Sequence, residues 1–237
     1  MSKNKITVIT LTGDRNKAFE LTRQHILVQT IQPDQWIIVD DGFEPLPEKL
    51  TKGTDYIRRE PKKGKGFTLI QNMKLAVSQI KDDIILFMED DDYYAPNYIE
   101  TYYNYLKEHA LVGEGCARYY HVSAQKYARM NNKRHASLAQ TGFRKEILDI
   151  FKVSIEDDFH IDIRFWKKAS KFGYVFFDTE DKLKLHCSLK GLPGRKGIGI
   201  GHNKNLKIYQ KDKDYKMLKK WISEKTALKY IKLIGDN

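Results

Sequence analysis

Ile84-Ile85-Leu86-Phe87-Met88-Glu89-Asp90-Asp91-Asp92 sets the fold class of this chain. Its five uncharged apolar residues suit a strand buried on both faces, the kind found in parallel sheets. Four carboxylates follow at once, at the carboxyl end of that strand. Upstream, Ile6-Thr7-Val8-Ile9-Thr10-Leu11 is β-branched and apolar and stops before Gly13. Trp36-Ile37-Ile38-Val39 ends at Asp40-Asp41-Gly42. Between these two runs, Asn16 to Gln29 places Ala18, Leu21, Thr22, His25 and Val28 on one helical stripe. Tyr56 to Arg59 reads as a third strand, Phe67 to Ile80 as a helix, and Pro96 opens a tyrosine-dense helix running through Lys107. Strands alternating with helices predict an α/β fold: a Rossmann-like, mostly parallel sheet flanked by helices on both faces. Such sheets bind ligands beyond the carboxyl ends of their strands. Three acid-bearing ends fall there: Asp14, Asp40-Asp41 and Glu89 to Asp92.

Downstream the pattern weakens. Arg118 to Arg144 is polar and mixed, with no clear period. Asp157 to Lys171 reads as a helix and Tyr174-Val175-Phe176-Phe177 as a strand. Leu189 to His202 is glycine-rich, and Asp214 to Leu233 reads as one basic amphipathic helix. There is no repeat and no low-complexity linker. The expected organisation is one compact domain of 237 residues. It comprises a first half (1–115), a second half with the glycine-rich segment (116–205), and a basic helical extension (206–237).

Composition narrows the function classes. Apolar residues make up 41% of the chain, enough for a sizeable core, so disorder as a global class is excluded. No window approaches the ~18 apolar residues of a membrane span. Met1 to Lys5 leads straight into the first strand without the apolar region of a signal peptide. Cys116 and Cys187 have no ligand-like spacing, and a reducing compartment is expected. The expected location is the cytoplasm, with a peripheral membrane position or the host cytoplasm of a virus as variants. The formal net charge is +11, and 13 Lys or Arg against four Asp or Glu lie between Cys187 and Asn237. That end implies an anionic partner, either nucleic acid or an acidic membrane surface.

Four adjacent acids repel one another and need a cation or many donors. A hard divalent ion, Mg2+ or Mn2+, suits oxygen ligands and a substrate's phosphates. Capping of a following helix explains one or two of the acids, not four. The stretch Gly191 to His202, flanked by Lys190 and containing Arg195 and Lys196, suits a lid over a diphosphate.

With those motifs in place, the sequence resembles the family-2 glycosyltransferases of GT-A fold. The likeness rests on Ile6 to Thr12, on Ile37-Ile38-Val39-Asp40-Asp41-Gly42, on Asn72 and on Ile85 to Asp92, over roughly the first hundred residues. Two positions depart from the usual pattern. Glu89 stands for the first acid of the DxD motif, which keeps a carboxylate. Phe43 stands where serine usually follows Asp-Asp-Gly.

The resemblance implies an inverting transfer from a nucleotide-diphosphate sugar, a UDP-sugar first among them, with a divalent metal. It implies that Asp41, seconded by Asp40, contacts the nucleobase, and that Thr12 and Asp14 line the base pocket. Glu89 and Asp91 become metal ligands, joined by a late histidine, His186 or His202. The family's Glu-Asp…Arg spacing falls on Asp157-Asp158, Ile161 and Arg164, making Asp158 the expected base and Asp157 its neighbour. Ser154 to Asp157 also fits the start of a helix with a capping box.

Two acceptors are open: a surface or lipid-linked glycan, and a hydroxymethylated base in DNA reached by flipping. For the first, Tyr215, Leu218, Trp221 and Ile222 offer an interfacial face; for the second, the basic end tracks phosphates. A nucleotidyltransferase is the alternative enzyme, but it calls for a glycine-rich basic loop where Thr12-Gly13-Asp14-Arg15 stands. A non-catalytic nucleic-acid binder is the other alternative, and the acid tetrad opposes it.

Overall fold

The computed structural model describes residues 4–61, 68–156, 160–178, 182–195, 197 and 199–235. The first half follows the sequence pattern. β1 (Ile6–Thr12) leads through α1 (Asn16–Leu27) to β2 (Gln35–Asp40), and a single turn α2 (Glu48–Thr51) leads to β3 (Asp55–Arg58). Then come α3 (Leu69–Ser78), β4 (Ile84–Phe87), the short β5 (Tyr93–Tyr94) and α4 (Tyr98–Leu106). β3, β2, β1 and β4 lie side by side and parallel, with β1 between β2 and β4.

Alternation along these strands feeds two cores. Val8, Ile38 and Leu86 face one side, with Phe19 and Ile26 of α1 and Tyr98, Tyr102 and Leu106 of α4. Ile9, Ile37, Val39, Ile85 and Phe87 face the other, against Met73, Ala76 and Val77 of α3. Both faces being covered is why β1, β2 and β4 carry no charge before their ends.

The second half completes the large sheet and adds a smaller one. β6 (Leu111–Glu114), β9 (Thr141–Arg144) and β10 (Tyr174–Phe177) extend the sheet in the order β10-β6-β9-β4-β1-β2-β3, with β9 antiparallel to both neighbours. α5 (Leu148–Ser154) and α6 (Ile161–Ala169) lay Phe151, Phe165 and Trp166 over its second face. The stretch without a clear period holds a hairpin, β7 (Cys116–His121) and β8 (Lys126–Asn131). β11 (His186–Lys190) runs parallel to β7 and antiparallel to β5, while β12 (Gln210–Lys211) edges β8.

The basic end differs from the single helix expected. It forms α7 (Lys216–Ile222) and α8 (Glu224–Gly235), separated by Ser223 at φ 70°. A right-handed helix requires negative φ at every residue, so a positive φ at Ser223 ends α7 and redirects the chain into α8. Leu218, Trp221 and Ile222 of α7 and Ala227, Tyr230 and Leu233 of α8 join Tyr120, Val122, Cys187 and Leu189 in a third core. Ala18 and Leu21 of α1 close it, so the extension is packed onto the smaller sheet and onto α1.

Candidate active site

α1 joins β1 to β2 over one face of the sheet and α3 joins β3 to β4 over the other, so the strand order reverses between β1 and β4 and a crevice opens beyond their carboxyl ends. All three acidic strand ends meet there. At the β2 end, Asp40 is committed to its own turn. Its Oδ1 accepts from Gly42 N at 2.9 Å, and its Oδ2 from Leu46 N at 2.9 Å and the Tyr56 hydroxyl at 2.8 Å.

Asp41 is turned into the crevice, where the Arg195 guanidinium donates to its Oδ1 at 2.7 Å and Arg59 lies 3.4 Å from its Oδ2. Burial works against its charge, yet Thr68, Arg195 and Asn72 together hold the carboxyl below the usual range. Arg195 also reaches Asp14 Oδ2 at 2.8 Å and the Asp41 carbonyl at 2.8 Å. Arg195 thereby ties its part of the glycine-rich segment to the ends of β1 and β2. Gly13 permits this, because a Cβ there would meet Asp41 Oδ1 at 2.6 Å and Arg195 Cζ at 2.9 Å. Gly194 turns at φ 102° directly against the Asp14 carbonyl, where a side chain has no room.

At the β4 end the acids divide their work. Thr12 donates its hydroxyl to Asp90 Oδ2 at 2.7 Å, and Arg15 Nη1 bridges Asp90 Oδ1 at 2.9 Å and Asp91 Oδ2 at 2.8 Å. Asp92, wholly buried, accepts from His186 Nε2, the Ser188 hydroxyl and Leu189 N, all at 2.9 Å, and from Lys190 Nζ at 3.1 Å. Those donors hold Asp92 well below the usual carboxylate range despite its burial.

Glu89 and Asp91 are different. Lys190 Nζ lies 3.6 Å from Glu89 and 3.7 Å from Asp91 Oδ1, outside hydrogen-bond range. Asp91 Oδ1 is buried without a hydrogen-bond partner. Desolvation and the neighbouring acids push Glu89 up to about 8 and Asp91 up to about 7, against the pull of Lys190. Oxygens of Glu89, Asp91 and Asp92 lie within 4.8 Å of one another. Since Asp92 is saturated, the orphaned oxygen of Asp91 and the carboxylate of Glu89 form a donor pair that fits a divalent cation.

The histidines separate. His186 Nε2 is given to Asp92, so His186 reaches the cluster through that acid rather than as a ligand itself. His202 lines a cavity of about 430 Å³ together with Asp91, Arg15, His121, Gly191, Leu192 and Lys204. Lys190, expected to meet phosphate, is instead buried among the acids. Asp157, Asp158 and Lys196 lie outside the described residues. Arg164 holds the end of α5, donating to the Ser154 carbonyl at 2.7 Å.

Arg15 escaped the sequence reading. Its signal was present: a basic residue directly after the Thr12-Gly13-Asp14 strand end, facing a cluster of acids. The interfacial face expected on the last helix needs correction as well. Leu218, Trp221 and Ile222 are buried against the β7–β8 hairpin, and Trp221 packs edge-on to Tyr120 and Tyr127. Exposed lysines remain on the outside, among them Lys216, Lys220, Lys225, Lys229 and Lys232. No helix among the described residues is long and apolar enough to cross a membrane.

Comparison with known proteins identifies the frame around this crevice. The model of glycosyl transferase family 2 matches residues 7–167, more than half of the chain. The chain belongs to that family. Among solved structures it is similar to a mannosyltransferase, PcManGT, from Pyrobaculum calidifontis in complex with GDP-Man and Mn2+. That match has a TM-score of 0.57 and 13% identity, over 81% of this chain and 58% of that one. It is similar too to S. aureus TarS, with a TM-score of 0.56 and 13% identity, over 78% of this chain and 36% of that one. A TarS 1-349 structure in complex with UDP-GlcNAc matches with a TM-score of 0.53 and 13% identity, over 81% of this chain and 59% of that one. The family member thus spans between about a third and three-fifths of the length of these structures, and it shares their GT-A fold. A search of curated protein sequences gave no match.

Proposed function

We propose that this family-2 member is a metal-dependent, inverting glycosyltransferase that uses a nucleotide-diphosphate sugar, a UDP-sugar first among them. One observation carries the reading. The crevice between β1 and β4 brings Asp14 and Asp41 to one end and Glu89 and Asp91 to the other, with Asp91 Oδ1 buried and without a hydrogen bond. The mannosyltransferase with GDP-Man and Mn2+ and the TarS form with UDP-GlcNAc support a donor of this class and a divalent ion.

In this mechanism Asp41 contacts the nucleobase, once Arg195 has left it, while Asp14 and Thr12, the latter bonded to Asp90, line the base pocket. Glu89 and Asp91 would hold Mn2+ or Mg2+, which supplies electrostatic stabilisation of the leaving diphosphate. Arg195, released from the carboxylates, and Lys196 add positive charge to the same group. Asp158, beside Asp157, takes the proton of the acceptor hydroxyl. The oxygen attacks the anomeric carbon from the side opposite the leaving group, the bond from that carbon to the phosphate oxygen breaks, and the configuration inverts.

We further assign residues 1–115 to donor binding, 116–205 to the acceptor and the covering loop, and 206–237 to a basic flank. The flank favours a polyanionic acceptor, with a hydroxymethylated base in DNA as the leading candidate, over a lipid-borne glycan. The supporting fact is that the apolar side of α7 is packed inward while lysines stay outside. Family membership and the acid cluster weigh against a nucleotidyltransferase and against a non-catalytic nucleic-acid binder.

The test is slow donor hydrolysis in the presence of Mn2+ across a panel of nucleotide sugars, which reads the donor without knowing the acceptor. Asp91→Asn should abolish it while the melting curve stays close to wild type. Full activity of Asp91→Asn in EDTA would overturn the metal assignment. Turnover of no nucleotide sugar would overturn the donor class.

A further inference from the structure

Arg15 stands at the end of the first strand loop, immediately before α1, and its side chain is only 12% exposed. Three acceptors share its guanidinium. Nη1 takes Asp90 Oδ1 and Asp91 Oδ2, and Nε donates to the main-chain carbonyl of Arg195 at 2.6 Å. Asp90 is fixed independently by Thr12 at its other oxygen, so the guanidinium is held between two anchored points. The remaining partner, Asp91, then has one oxygen bound and the other buried without a hydrogen bond, with Lys190 Nζ 3.7 Å away.

We propose that Arg15 is a positioning residue for the divalent ion: it takes Asp91 Oδ2 and so fixes Oδ1 as the atom presented to the metal. This rests on the metal-dependent reading above. A carboxylate free to turn about its Cβ–Cγ bond presents either oxygen or both. One clamped by a planar, multidentate guanidinium presents one, in one direction. Outer partners that orient metal-binding carboxylates and histidines in this way are commonly as influential as the ligands themselves. The Nε bond adds a second consequence. The residue whose side chain covers Asp14 and Asp41 also supplies, through its carbonyl, the third acceptor that steadies Arg15. The glycine-rich segment and the metal-facing acid are thereby connected through one side chain.

Charge and geometry make opposite demands on Arg15, which makes the role testable. As a nearby positive charge it opposes a cation, so a purely electrostatic role predicts tighter metal binding when it is removed. As a clamp it favours the cation, so its loss weakens binding. Arg15→Lys separates the two, because it keeps the charge and gives up the planar fork.

The experiment is a titration of the full chain with Mn2+ alone, following free Mn2+ by its electron paramagnetic resonance signal, with melting curves recorded in parallel. Arg15→Lys and Arg15→Ala should both bind Mn2+ more weakly than wild type, by roughly 10–100-fold as is usual for an outer-partner substitution. Guanidinium ion at low millimolar concentration should recover part of the affinity of Arg15→Ala and none of that of Arg15→Lys. Mn2+ affinity unchanged or increased in Arg15→Lys, with wild type binding normally, overturns the clamp and leaves the metal reading intact. Failure of wild type itself to bind Mn2+ overturns both.

Discussion

The Tyr230 hydroxyl, on the last helix, donates to the main-chain carbonyl of Asp92 at 3.0 Å. The same oxygen lies 3.0 Å from His25 Nε2 on α1. Since a phenol has one proton and gives it to Asp92, His25 must be the donor in the second bond, which sets its Nε2–H tautomer. The basic end of the chain is therefore bonded directly to the acidic motif.

Tyr230→Phe should cost about 1–2 kcal/mol of stability, because a buried carbonyl and a half-buried imidazole N–H both lose their partner while the ring packing is kept. Urea unfolding measures it. A variant as stable as wild type would show that the hydrogen bonds contribute nothing net.

His25 gives the protein an acid-sensitive arm. Burial, with the nearby Lys229 adding to it, lowers its pKa to about 4. Above pH 6.5 neither the folded nor the unfolded chain carries that proton. Below it the unfolded chain takes the proton first, so stability falls as pH drops from about 6.5 to about 4, by at most ~1.4 kcal/mol per pH unit, and then levels. In urea unfolding at pH 7 and pH 5, His25→Gln should lose less stability between the two than wild type does. Equal losses would place the acid sensitivity elsewhere.

Lys190 is the cation that faces Glu89, Asp91 and Asp92 together. Lys190→Met should destabilise by about 3–5 kcal/mol, the usual result of removing one partner from a buried charge group. Added Mn2+ should raise the melting temperature of this variant more than that of wild type. A variant that melts like wild type in EDTA would mean that the acids are already neutral without their lysine.

The strands ending in acids were legible because they are covered on both faces, and a run of apolar residues such as Ile84 to Met88 has no other use. The β7–β8 hairpin and β11 were not legible, because their burial is achieved by polar pairing. Arg118 is 1% exposed yet sits mid-strand, neutralised by Glu114 at 3.0 Å and Asp178 at 3.2 Å. All five residues of β11 are buried although three of them are His186, Ser188 and Lys190, since those three side chains converge on Asp92. A hydropathy pattern cannot register a buried residue whose reason for being inside is a partner almost a hundred positions away. The site was legible as a set of acids and not as a division of labour. Which acid is saturated, which is clamped and which is left open depends on Arg15, Thr12 and β11 together. The break at Ser223 left no trace either, since the apolar positions of α7 and α8 read as one stripe.

Trp36, Trp166 and Trp221 are all buried. Tryptophan emission should therefore be blue-shifted in buffer and should not shift further on adding anionic vesicles. Binding to duplex DNA should weaken steeply with salt, each neutralised phosphate contributing a slope of about −0.9 in log K against log salt. A vesicle-induced shift that Trp221→Phe removes would restore the interfacial face and displace DNA as the favoured partner.

The packing of α7 and α8 has a further meaning for how this protein can be dissected. Cutting the chain before them would strip Leu218, Trp221, Tyr230 and Leu233 from Tyr120, Val122 and Leu189 and bare an oily patch on the remaining body. Grafting the segment onto another enzyme would bare the complementary patch on the graft. The electropositive end is thus not a detachable module. Its surface charge can be edited residue by residue, but the segment travels only with the whole fold.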